Sequence, residues 1–431
     1  MVIARAEKDA SIIKEIIGYL KSDIRSIRFN ATFVLGELGE KAGDATSNLI
    51  ECLADEDWSI CREAARSLGK IGENAEAAIP KLAELLQDEE VSIRKAAAIS
   101  LGKIASATDE AISSLIVALE DKNDEIRAEV ASTLGKIGPD AYNAIPKLIQ
   151  CLKDPSWSVR TATAQAISGI GTGSTEAIPT LIKTLDDNDW RVRYRAITTL
   201  VQIGEEAIPA ILEVINHKKS IVRKGALEAL GELKVKDLKI IESIASLLKD
   251  SVEGVRGKAA DALRTIGKEA IPALIKAFKK VNNEVKILIL SAIGGMGSDA
   301  QDAIPSLIDI LKRGSTSVRA EAARALGKIG IVAEKTVLIL QAALTDRKSV
   351  VRREAALSLG KLGSAASDAT PGLLEALHDK KPDVRWRASE ALGRIGVGSA
   401  IIILALENLL HDKFDYVAEA AQEALDIISE K

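Results

Sequence analysis

The side chains best suited to acid–base, nucleophilic or metal chemistry are few. There are three histidines, at 217, 378 and 411, and three cysteines, at 52, 61 and 151. A metal site needs such ligands to converge at characteristic spacing, and here no Cys/His cluster does. A disulfide framework is equally unsupported. All three histidines lie in polar turns, where solvation is expected, and no His-Glu dipeptide occurs. No Gly-x-x-x-x-Gly-Lys-Ser/Thr phosphate loop is present; matches such as Gly69 to Gly72 end helices. Glutamates are abundant, as on any solvated helix, and no Ser, His and acid set stands out. The expectation is a protein that is not an enzyme, with no catalytic residues, no metal site and no cofactor.

What the chain does possess is a beat. A Val/Ile-Arg pair recurs with its second member at 28, 61, 94, 127, 160, 193, 223, 256, 286, 319, 352, 385 and 418. The interval is 33 residues ten times and 30 twice; Arg fills every position except Cys61, Lys286 and Ala418. Such a period signals stacked repeats, in which each unit packs on its neighbours and the core grows lengthwise. Apolar residues make up 47% of the 431-residue chain and aromatics 3%, so the core must be aliphatic.

One repeat shows the physics. Pro80 suits the first turn of a helix, whose N–H needs no partner. Leu82, Leu85 and Leu86 then form one apolar stripe. The turn 87–90 supplies a capping carboxylate, and a second helix over 91–103 buries Ile93, Ala97, Ala98, Leu101 and Ile104. In sister repeats Gly72 and Gly138 are placed to close that helix in a left-handed cap. Seven of the ten prolines (80, 146, 179, 209, 272, 305 and 371) occupy the same helix-start position, and no segment alternates long enough to require a strand. The chain reads as all-α.

The pattern Ile-Pro, turn Asp, Val-Arg, Ala-Ala-x-x-Leu-Gly-x-Ile-Gly, clear at 318–330, resembles HEAT repeats. More narrowly it is similar to the short HEAT-like units first named for phycobilin lyases. The ankyrin and tetratricopeptide signatures are absent. The resemblance covers roughly residues 11 to 430 and implies an α-solenoid, a right-handed superhelix of about thirteen helix pairs, as one domain over 1–431. It also implies that the recurring Asp and Arg form a ladder between successive turns. That Asp stands six residues before the ladder position at 55, 88, 121, 154, 187, 250, 346, 379 and 412; His217, Lys280 and Arg313 replace it elsewhere. A phosphate-binding track is the alternative to a self-satisfied ladder. The missing His-Glu pairs speak against the deoxyhypusine hydroxylase branch of these proteins.

In HEAT arrays the second helix lines a concave face, so partner contacts are expected one, two and five residues after the ladder position. Those positions hold Phe29 and Phe33, Tyr194 and Arg195, Ile287 and Leu288, and Trp386 and Arg387. Aromatic and Arg side chains are typical binding anchors. Phe29 and Phe33 have a second reading, as cover for the open end of the core. For Ile287 and Leu288 the options are a partner, a second protomer in self-association, or burial by local curvature. The three other tryptophans, 58, 157 and 190, share one position at the start of the second helix, which points to packing at the turn edge. The expected function is a non-catalytic scaffold holding a protein or peptide on its concave face. A tetrapyrrole or bilin lyase-like chaperone subunit is the alternative. HEAT-like DNA binding is disfavoured by a net charge of −4. Residues 1–10 carry no long apolar stretch and the longest apolar run is 400–406, so neither a secretory signal nor a membrane span is expected. The expectation is a cytoplasmic protein.

Overall fold

The computed structural model describes residues 10–104, 108–171, 173–396 and 398–430. Helix follows helix in pairs from Ala10 to Ser429, with no strand among the described residues. Tertiary contacts divide the chain into two compact units, Met1–Ala229 and Leu230–Lys431.

The repeat chosen above folds as its pattern dictates. Its first helix is Ile79–Leu85 with Pro80 in the opening turn, and its second is Val91–Ile104. Leu82, Leu85 and Leu86 are buried, as are Ile93, Ala97, Ala98, Leu101 and Ile104. Burying a Leu or Ile side chain contributes roughly 1.5–3 kcal/mol, so these two stripes supply the main cohesion of a repeat.

The exit from the second helix departs from expectation. Gly72 and Gly138 do take positive φ, 74° and 78°, but their ψ values of −138° and −142° lie far from the left-handed helical region. The chain instead passes into a 3₁₀ helix, Gly72–Ala78 in one repeat and Gly138–Ala144 in another, that links it to the next first helix. Glycine is needed because this φ/ψ combination is closed to residues with a Cβ. Left-handed caps do occur at Gly330 and Gly396, and no such link follows Gly330. The two 30-residue intervals correspond to links of only three residues, Glu205–Ala207 and Lys268–Ala270.

The Leu-Gly pair has a packing reason that periodicity did not expose. A Cβ on Gly69 would lie 2.8 Å from Ser100 Cβ and 2.9 Å from its Cα, and one on Gly360 would lie 2.9 Å from Ala391 Cα. Second helices of successive repeats therefore touch backbone to backbone at glycine. The hydroxyls at this seam donate across it: Ser67 Oγ to Thr32 O at 2.9 Å and Ser358 Oγ to Ala323 O at 2.8 Å.

The ladder is formed between repeats. Arg94 donates from Nε and Nη2 to the two oxygens of Asp121, at 2.6 and 3.1 Å, while Nη1 donates to the carbonyls of Asp88 and Glu89. Asp121 Oδ1 also accepts the Asn123 amide at 2.7 Å. The same bidentate step joins Arg28 to Asp55, Arg127 to Asp154, Arg160 to Asp187, Arg319 to Asp346, Arg352 to Asp379 and Arg385 to Asp412. Each of these guanidiniums is consumed internally, which disposes of the phosphate-track alternative for them. Burial pushes the carboxyls of Asp154, Asp346 and Asp379 up, but hydrogen bonds from Arg and the turn amide outweigh it and hold them below the ordinary range.

Candidate functional site

The ladder breaks in the second unit. Arg256 meets Lys280 where an Asp would stand, and turns instead to Glu284, donating from Nη2 at 2.7 Å. One step on, Lys286 replaces Arg and Arg313 replaces Asp, so two cations occupy the places of an ion pair. Between them opens a cleft of about 440 Å³. The first helix Ile271–Phe278 and the second helix Asn283–Gly295 form one side; Ile304–Arg313 and Thr316–Ile329 form the other. Phe278, Leu290, Ile293, Leu307 and Val318 give it apolar walls, while Lys279, Lys286 and Arg313 stand in its lining with one carboxylate, Asp309. Among the described residues no carboxylate lies within ion-pair distance of those three cations; Lys286 Nζ sits 5.3 Å from the centre of the Phe278 ring.

Ile287 and Leu288 follow directly. They are half-buried, whereas Ile289 and Leu290 are fully buried. The run of four large aliphatics is thus split, two for the core and two partly open to solvent.

In the first unit, Tyr194 is 49% exposed and Trp190, one turn earlier on the same helix face, 65%. The half-buried Arg195 holds its guanidinium 5.9 Å from the Tyr194 ring. In the preceding repeat Trp157 lies under Arg191, 3.4 Å above its ring, and Arg191 is fixed by two bonds to Asp189. The shared Trp position packs at the turn edge without being buried: Arg62 and Arg191 lie over the rings of Trp58 and Trp157, while Trp58, Trp157 and Trp190 all stay substantially exposed. Phe29 is half-buried and Phe33 exposed, with Lys70 Nζ 5.4 Å over the Phe33 ring and bonded to Glu37.

Trp386 and Arg387 in the second unit are more firmly built in. Arg387 stacks 3.6 Å over the indole and donates to Glu390 at 2.6 Å, and Glu390 also accepts from Arg394. Tyr416 of the next repeat packs edge-on against Trp386 at 5.7 Å, anchored by its hydroxyl donating to Asp383 at 3.0 Å. Sequence reasoning missed Tyr416. The signal was available, because Asp383 and Tyr416 occupy equivalent positions 33 residues apart.

Alongside, Glu354 is buried and receives both Arg324 and Arg353. Burial would raise its carboxyl, but the two guanidiniums hold it below the usual glutamate range.

The remaining chemistry-bearing groups stay scattered. His378 and His411 are exposed; His217 is half-buried, and its Nδ1 accepts the Lys219 amide at 3.2 Å, standing in for the turn Asp. Burial pushes the thiols of Cys52 and Cys61 up to about 11, and raises that of Cys151, which disfavours the thiolate that attack or metal ligation requires. Among the described residues no group of His, Cys, Asp and Glu is arranged to hold a metal ion, and no helix is long and apolar enough to cross a membrane.

Comparison with solved structures returns solenoids of paired helices. Kap121p bound to Pho4p is 16% identical, covering 96% of this chain and 53% of its own, with a TM-score of 0.63. Kap121p bound to Ste12p gives 17%, 96%, 52% and 0.62. This chain thus spans about half the length of those karyopherin chains, and the likeness concerns the fold. An engineered protein is 23% identical over 97% of this chain and 98% of its own, with a TM-score of 0.29. No curated protein matches the sequence. The model for HEAT repeats matches residues 13–102, 79–168, 145–231, 208–293, 271–360 and 336–426. Tandem matches over nearly the whole length, on helix pairs stepping at this period, make the chain a member of the HEAT-repeat family.

Proposed function

We propose that the chain is a non-catalytic scaffold, acting as one array over residues 1–431, that holds a protein or peptide partner on the concave face formed by its second helices. The observation that carries this reading is the pairing of large aromatic rings with guanidiniums at outward positions of those helices, Tyr194 with Arg195 and Trp386 with Arg387. A ring presented beside a charge that is already positioned gives contact area at low entropic cost. Trp190 and Trp157 extend the first anchor, and the bonds that fix Arg191 and Arg387 pre-organise both. The karyopherin Kap121p, similar in fold, is bound to Pho4p and to Ste12p in its own structures. That likeness supports a partner-holding role and does not name the partner.

The test is affinity purification of the wild-type chain beside Tyr194→Ala/Arg195→Ala and Trp386→Ala/Arg387→Ala. A polypeptide retained by the wild type and lost from at least one folded variant is the expected result. Retention of nucleic acid alone, or a co-purifying pigment with visible absorbance, would overturn the reading in favour of DNA binding or bilin handling.

A further inference from the structure

The cleft at Lys286 and Arg313 lies on the turn side of the repeats, where the ladder runs, and not among the outward second-helix anchors just discussed. In seven regular steps a carboxylate sits there, held by a guanidinium of the preceding repeat and by a turn amide. At this step the chain supplies the cationic side of that arrangement twice and its anionic side not at all. Asp309 offsets one of three positive charges in the lining, so the cleft keeps an excess of positive charge over apolar walls. Its volume of about 440 Å³ falls in the ~300–1,000 Å³ range of small-ligand sites.

We propose that this cleft binds a single carboxylate carried on an apolar body, the carboxylate taking the seat of the missing ladder Asp between Lys286 and Arg313 and the apolar part lying against Phe278, Leu290 and Leu307. A free aliphatic acid and an acidic side chain flanked by leucines in a partner's polypeptide share this chemistry. Both charge and apolar body are required: a simple anion gains nothing from the walls, and an uncharged chain leaves the cations unanswered. The site stands whether or not the aromatic anchors bind a partner.

The experiment is titration of the full-length protein, by calorimetry, with decanoate, decanol, acetyl-Leu-Asp-Leu-amide and its Asn counterpart. Decanoate, the Asp peptide or both bind, and the matched uncharged probe binds about tenfold more weakly or worse, as loss of a charge-assisted contact implies. Binding of decanoate alone assigns the site to a free amphiphile; binding of the Asp peptide assigns it to a partner segment. The decisive variant is Lys286→Arg with Arg313→Asp, which restores the consensus ion pair, fills the seat from within and should abolish binding. Lys286→Gln, which removes the charge on a polar side chain one atom shorter, serves as a second variant and should weaken binding about tenfold. Failure of both charged probes to bind, or unchanged binding in both variants, overturns the proposal.

Discussion

The step from Arg94 to Asp121 and the step from Lys286 to Arg313 are the same piece of architecture with opposite chemistry. Each has a hollow beside it, about 380 Å³ at the first and 440 Å³ at the second, so size does not distinguish them. The first is lined mainly by polar and charged residues, Gln87, Asp88, Glu89, Glu120, Asp121 and Lys122, beside Val117 and Ala118, and its central pair is buried, Arg94 at 2% and Asp121 at 7% side-chain exposure. The second has apolar walls and cations with no carboxylate partner among the described residues. Seven steps close through an Arg–Asp pair; Cys61, His217 and Lys280 each replace one partner of a step, and the step from Lys286 to Arg313 replaces both. In an array this regular, a structural requirement left unmet marks where function is to be sought.

The comparison breaks most visibly by removing one regular carboxylate. Asp121→Ala leaves Arg94 buried without its partner, and loss of one member of a buried pair costs about 3–5 kcal/mol. Arg313→Ala removes no ion pair and should change stability by less than about 0.5 kcal/mol. Urea unfolding followed by circular dichroism measures both.

Next in size is the glycine seam. Gly69→Ala forces a Cβ onto Ser100 and should destabilise by about 1–3 kcal/mol through overpacking. Gly257, in the second unit's helix Glu253–Ile266, has nothing within 4 Å of its Cβ position. Gly257→Ala should therefore stabilise, by about 0.5–1 kcal/mol. Thermal melting distinguishes the two signs.

Acid sharpens the contrast in another way. Asp154, Asp346, Asp379, Asp412 and Glu354 all have carboxyl pKa values lowered on folding. Their contribution is complete above the unfolded carboxylate value of about 4 and is lost as pH falls through the lower folded values. The melting temperature should be level from about pH 7 to 5 and decline below about pH 4. A decline centred near pH 6 would contradict this. A further effect is constructive: Lys286→Arg with Arg313→Asp should add about 1 kcal/mol, the worth of a well-made charge-assisted contact less the cost of desolvating it.

Much of this was legible in the residues. The apolar stripe through Leu82, Ile93 and Leu101 and the prolines at one helix-start position dictated paired helices, and the period dictated stacking. What escaped were features that depend on the distance between repeats. An Asp six residues before an Arg is also 27 residues after the previous Arg, and spacing alone does not say which pairing forms; the structure selects the longer one. Gly69 reads as a helix-weakening residue until Ser100 is placed against it. Positive φ at Gly72 was foreseeable, but the 3₁₀ link that follows depends on where the next helix must start. At the candidate site, Tyr194 and the separate replacements at Lys280, Lys286 and Arg313 could be read directly, but spacing grouped Lys280 with Lys286, and only the 27-residue pairing sets Lys286 against Arg313. Tyr416 was available only as the residue one repeat on from Asp383; its edge-on packing against Trp386 depends on how two repeats meet. The half-burial of Ile287 and Leu288 likewise depends on neighbouring helices.

Amide hydrogen exchange across the turns reads out the closed and open ladder steps directly. At the regular step the Asn123 amide donates to Asp121, which Arg94 in turn holds. Ser315 is its counterpart at the broken step, where Arg313 offers no acceptor. A peptide covering 310–319 should exchange about tenfold faster than one covering 118–127, and Lys286→Arg with Arg313→Asp should close that gap. Equal rates in the wild type, or a gap that the rebuilt ion pair leaves unchanged, would contradict the account.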